Sequence, residues 1–141
     1  MESEISDKVL EAVTCLDLAD NDDIPDEYLR YIGACINLIQ LDLFGTGITD
    51  VVWEYLNRHT SLEKLNLGHT LVTDTGLITL KKLHRLRELD LSHTPITDAG
   101  LLHFIELGCL TKLNLTGSQV TENGVSQLRA TMPRLQVILD K

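Results

Sequence analysis

The chain has 141 residues, 43% hydrophobic but only 4% aromatic, which suits a single domain with an aliphatic core. Its formal charge of −9 excludes general nucleic-acid binding, which requires a basic stripe. No apolar run approaches the roughly 18–20 residues that span a bilayer, and Cys15, Cys35 and Cys109 follow no disulfide or metal spacing.

The charge is segregated. Residues 1–27 hold ten acids against Lys8, so this front end carries the whole net charge and the remaining body is neutral. The opening "MESEISDKVLEAV" has neither the basic apolar leader of a signal peptide nor the arginines of a transit peptide. With unpaired cysteines, this leads to the expectation of a reducing compartment, cytoplasmic or nuclear. Residues 1–12 read as an N-terminal helical cap. An amphipathic helix is expected over 5–12, with Ser6 as its cap and Ile5, Val9 and Ala12 facing inward.

From residue 13 the frame L-x-x-L-x-L recurs. Units begin at residues 13, 38, 62, 86 and 110, with lengths of 25, 24, 24, 24 and 25. "LQVILDK" (135–141) starts a sixth strand. This period is the signature of a leucine-rich repeat solenoid. The expected fold is α/β: a curved right-handed βα superhelix over residues 13–141, with a parallel inner sheet, outer helices, five repeats and a partial sixth strand. Leucines two apart share one strand face, so the inward columns read Leu16, Leu41, Leu65, Leu89, Leu113 and Leu18, Leu43, Leu67, Leu91, Leu115.

The second half of each unit changes period. Val52, Tyr55 and Leu56, then Leu77, Leu80 and Leu83, then Leu101, Phe104 and Ile105 read as buried helix faces. Thr49-Asp50, Thr73-Asp74, Thr97-Asp98 and Thr121-Glu122 stand where helix N-caps belong. In unit one "NDDIPDEYLRYI" replaces this tail, with Pro25 and Asp26 at the helix start. The basic "KKLHRLR" (81–87) reads as a solvated helix end followed by a strand start.

The tails "ITD" (48–50), "VTDTGL" (72–77), "ITDAGL" (96–101) and "VTENGV" (120–125) resemble the cysteine-containing leucine-rich repeats of F-box substrate receptors. They are also similar to ribonuclease-inhibitor repeats, whose units are longer. The resembled class places Cys or Asn after the strand, whereas this chain has Asn21, Thr46, Thr70, Thr94 and Ser118. The resemblance implies a protein-interaction solenoid. No F-box precedes the repeats, so it extends to a ubiquitin-ligase adaptor only as a substrate-recognition part lacking that element.

Candidate chemistry is sparse. "LNLGHTLVTDTG" (65–76) and "LDLSHTPITDAG" (89–100) place His69 and His93 on adjacent rungs. Gly45 and Gly117 occupy the flanking equivalents, so the third and fourth ligands of a closed metal site are missing. The two histidines read as surface residues at a turn. The side chains of Asn21, Thr46, Thr70, Thr94 and Ser118 are expected to form a ladder that bonds a neighbouring rung. "DNDDIPDE" (20–27) lacks the Gly and distal Glu of an EF-hand loop and reads as an acidic capping loop. Cys35 and Cys109, near unit ends, are expected to be buried, and Trp53 packed on the convex side.

No catalytic residue, metal or cofactor is assigned. The expected function is non-enzymatic binding of another protein through the concave strand face, by a chain monomeric on its own. Phe44, expected to be exposed, with Asn66, His69, Arg87, Asp90 and His93, are the candidate contacts. Charge alternation along the outward columns, Glu63 beside Arg87 and Lys64 beside Glu88, predicts cross-strand ion pairs. A second reading is an assembly subunit docking through the acidic front or the open last strand. No membrane or nucleic-acid partner is expected.

Overall fold

The computed structural model describes residues 7–140. Among these, six strands form one parallel sheet in sequence order: β1 (Cys15–Asp17), β2 (Gln40–Asp42), β3 (Lys64–Asn66), β4 (Glu88–Asp90), β5 (Lys112–Asn114) and β6 (Gln136–Ile138). The register follows the leucine frame: Leu16, Leu41, Leu65, Leu89 and Leu113 pair in turn, and Val137 completes the row. No described helix is long and apolar enough to cross a membrane.

Three-residue strands have little stability of their own, so stacking supplies it. Backbone bonds extend the ladder beyond each strand. Leu43 N–H donates to the Asn66 carbonyl (2.9 Å), Leu67 to Asp90 (2.9 Å) and Leu91 to Asn114 (2.9 Å). Beneath the sheet, Leu41, Leu43, Leu65, Leu67, Leu89, Leu91, Leu113 and Leu115 are buried. Leu16 and Leu18 are only half-buried, since among the described residues β1 pairs on one side only, with β2.

The outer segments depart from expectation in an instructive way. Units one, two and five carry α-helices: α2 (Asp26–Ala34), α3 (Val52–Leu56) and α4 (Glu122–Thr131). Units three and four carry 3-10 helices, η1 (Asp74–Lys82) and η2 (Asp98–Phe104), where α-helices were expected. Leu77, Leu80 and Leu83 are three apart and all buried, as are Leu101, Phe104 and Leu107. A strict spacing of three belongs to the 3-10 form, in which residues i and i+3 eclipse. Ile105, assigned to the inner face by an α period, is accordingly exposed, at 41%.

Among the described residues the N-terminal helix α1 spans Asp7–Glu11, and Leu10 rather than Val9 or Ala12 is its buried residue. The expected roles of Ile5 and Ser6 lie outside the described residues. Cys35 is buried as expected, and burial pushes its thiol up, which favours the unreactive protonated form. Cys109, expected to be buried, is exposed, because it stands at the outer corner between η2 and β5. Trp53 is buried.

The hydroxyl ladder closes within each rung, not between rungs. Thr46, Thr70 and Thr94 are buried, and their Oγ1 atoms donate to the carbonyls of Leu43 (2.8 Å), Leu67 (2.6 Å) and Leu91 (2.6 Å). Ser118 does the same with Leu115 (2.7 Å). The chain turns after each of these leucines, so the leucine carbonyl three residues back lies within the hydroxyl's reach. Thr94→Val keeps the shape and removes the donor. Its unfolding free energy should fall by about 1–2 kcal/mol in urea denaturation, with an unchanged m value.

Candidate functional site

The strand positions that do not enter the core face an open groove of about 500 Å³. Its lining includes Cys15, Gln40, Lys64, Glu88 and Lys112 in one column and Asp17, Asp42, Asn66, Asp90 and Asn114 in the next. The second column has a structural duty. Each residue accepts the backbone N–H two positions on: Asp17 from Ala19 (3.0 Å), Asp42 from Phe44 (2.9 Å), Asn66 from Gly68 (3.0 Å), Asp90 from Ser92 (2.8 Å) and Asn114 from Thr116 (3.0 Å). These Asx turns end each strand and leave the second side-chain polar atom toward the groove. Asn114 Nδ2 donates to Asp90 Oδ2 (3.3 Å).

Beyond these turns lies a column in the left-handed region: Asp20 (φ 62°), Gly45 (71°), His69 (53°), His93 (53°) and Gly117 (70°). The histidines therefore occupy a position that glycine fills without strain, at a cost of roughly 1–2 kcal/mol each. In exchange the rings meet. His69 stacks on His93 (centroids 4.1 Å, 27°), and Phe44 meets His69 edge-to-face (4.8 Å, 65°). Phe44 also lies across Gly68, where an added Cβ would stand 2.9 Å from its ring. This contact leaves Phe44 half-buried, correcting the expectation of a free anchor.

Of the six candidate contacts, the structure thus joins Phe44, His69 and His93 in one row at the strand-exit rim. Asn66 and Asp90 are half-buried beside that row, held by their turns. Arg87 is exposed before β4, at the opposite end of the strand from His93. The expected Lys64–Glu88 pair forms at 3.8 Å with both side chains well exposed, so it adds little stability. Glu63 and Arg87 form no ion pair among the described residues. Asp17, Asp42, Gln40 and Lys112 also line the groove and were not among the candidate contacts.

The Thr-Asp motif proves to be a clamp between rungs. Asp50 accepts the Thr73 N–H (2.8 Å) and hydroxyl (2.5 Å), Asp74 those of Thr97 (3.0 and 2.5 Å), and Asp98 those of Thr121 (2.8 and 2.6 Å). The helix-capping expectation holds for the Thr97 and Thr121 side chains, which accept from Ala99 and Gly124 N–H groups. It fails for Thr73, whose side chain caps nothing. The aspartates bond forward to the next rung because its glycine leaves room for the carboxylate. A Cβ at Gly76, Gly100 or Gly124 would collide with Asp50, Asp74 or Asp98.

His59, absent from the sequence candidates, is fully buried, and its Nε2 lies 2.8 Å from the Ile32 carbonyl. A carbonyl only accepts, which assigns the proton to Nε2 and leaves Nδ1 as a bare acceptor. Nδ1 has no partner among the described residues. Burial holds the His59 pKa below its ordinary 6.5, against an opposing pull from backbone bonds. Nothing in "NRHTS" (57–61) marks this histidine as internal. Among the described residues, no three His, Cys, Asp or Glu side chains converge as a metal site.

The profile for leucine-rich repeats in two copies matches residues 60–103. No protein of curated function matches the chain. Many solved structures share its fold, among them the following two. The plant peptide hormone receptor RGFR1 in complex with RGF2 is 19% identical with a TM-score of 0.63, over 96% of this chain and 22% of the receptor chain. A leucine-rich repeat protein of Leptospira interrogans is 16% identical with a TM-score of 0.67, over 93% of this chain and 38% of that one. The present chain therefore spans well under half of either. Strand order, register, the matched repeats and these likenesses agree that the chain folds as an α/β leucine-rich repeat solenoid.

Proposed function

We propose that the chain is a non-enzymatic module that binds another protein through the groove side of its sheet. The carrying observation is the groove itself: six strands align side chains that the core does not use, and the aromatic row borders them. Leucine-rich repeat proteins generally mediate protein–protein contacts, and the similar plant receptor is described in complex with RGF2, which supports the reading by analogy of fold.

Affinity capture from the native source, followed by mass spectrometry, tests it. A partner held by the wild type should be lost, at least tenfold in yield, on combining Phe44→Ala, His69→Ala, Arg87→Ala and His93→Ala. It should survive Ile78→Ser with Leu102→Ser, which alter exposed convex residues. The reverse pattern would overturn the reading.

A second reading, an assembly subunit, draws on β6, which pairs only with β5 among the described residues and so presents a free edge. The ubiquitin-ligase adaptor reading rests on the motif resemblance alone. A reducing cytoplasmic or nuclear location belongs to the same proposal, supported by three free cysteines.

A further inference from the structure

We infer that the N-terminal half of the groove receives an arginine side chain from an extended segment of the partner, seated between Asp17, Asp42 and the Phe44 ring. This rests on the groove-binding reading and names the chemistry it selects.

Charge along the groove is uneven. Toward the C-terminal rungs, Glu88 is paired with Lys64, and Lys112 stands beside Glu88 in register. On rungs one and two, Asp17 and Asp42 are register partners, and their neighbours Cys15 and Gln40 are uncharged. Each carboxylate spends one oxygen on its own turn, at 3.0 and 2.9 Å. The other oxygen of each has no donor or cation among the described residues. Asp20, exposed at the rim of rung one, adds a third uncompensated carboxylate. On these two rungs the lining carries charge of one sign only, which favours a cationic occupant.

The geometry selects a guanidinium over an ammonium. Neighbouring parallel strands stand about 4.8 Å apart, so the two carboxylates present acceptors at a spacing that a planar fork of five donors can bridge. Phe44 stands two residues after Asp42, leans on Gly68 and His69 of rung three, and is half-buried, so the exposed part of its ring offers a surface for guanidinium–π contact. Ile39, 37% exposed at the start of rung two, offers apolar area to the methylene stem. An extended segment is required because the sheet is shallow and each rung contributes one step along the groove.

The test is an NMR titration of the 15N-labelled chain at low salt with the capped peptide Ser-Gly-Arg-Gly-Ser, and with versions carrying Lys or Glu centrally. The arginine peptide should shift amides at 17–20 and 40–45, and bind at least threefold more tightly than the lysine peptide and tenfold more tightly than the glutamate one. Asp17→Asn with Asp42→Asn should weaken it at least tenfold. That variant keeps the fold, because Asn66 and Asn114 close the same turn natively in the same column. Equal binding of the arginine and glutamate peptides, or unchanged affinity in the double variant, overturns the inference. Groove shifts with the glutamate peptide alone would overturn it while leaving the groove reading standing. Shifts confined to the convex helices would defeat both.

Discussion

Gly100→Ala should destabilise the solenoid by about 2–4 kcal/mol, lowering the melting temperature by roughly 10 °C. At an ordinary helical position the same change removes backbone entropy from the unfolded chain and stabilises, so the sign is diagnostic. Gly100 is buried on η2, and a Cβ there would collide with Asp74 Oδ1 and stand 2.9 Å from Leu77 Cδ1. The carboxylate cannot yield without giving up the Thr97 N–H and hydroxyl. Gly108→Ala, with open space around its Cβ, is the control and should change stability by less than about 0.5 kcal/mol.

A double-mutant cycle separates the clamp from general crowding. In an Asp74→Ala background the carboxylate obstruction is gone and only the flexible end of Leu77 has to shift, so the cost of Gly100→Ala should shrink to below about 1 kcal/mol. If the cost stays the same with Asp74 removed, the clamp is not the reason for the glycine. The same logic applies to Gly124 with Asp98, so the repeat contains its own internal replicate.

Acidification should destabilise the protein through His59. The folded state keeps this imidazole neutral, with its pKa lowered below 6.5 chiefly by burial. The unfolded chain takes up a proton near 6.5, so the unfolded state binds more protons below that value. The His59 contribution is therefore complete above pH 6.5. It is lost progressively as pH falls from there to the lowered folded value, and changes no further below it. The other histidines, His69, His84, His93 and His103, are exposed or half-exposed.

His59→Gln supplies an amide donor for the Ile32 carbonyl and does not titrate. Urea denaturation at pH 5 and pH 7.5 should show a smaller loss for this variant than for the wild type. His59→Ala should cost about 2–4 kcal/mol at pH 7.5 by leaving a cavity and an unpaired carbonyl. An undiminished pH dependence in His59→Gln would assign the acid sensitivity to other groups.

The sequence alone determined the repeat, its period, the parallel register and the leucine columns. These follow from periods of 24–25 and two, which are visible residue by residue. It also held the 3-10 signal in the triplet spacing of Leu77, Leu80 and Leu83, which an α-helical face shares over its first turn. The left-handed turn was signalled too, since Gly45 and Gly117 align with His69 and His93. Tertiary structure alone decided that those imidazoles stack, that Phe44 leans on them, that each Thr-Asp aspartate clamps the next rung, and that His59 is internal. The physical reason is the range of the interactions. A strand face or a turn is fixed by neighbours two to four residues away, whereas the Asp–Thr clamp and the His–His stack join residues 23 and 24 apart. Those contacts exist only once the rungs are stacked.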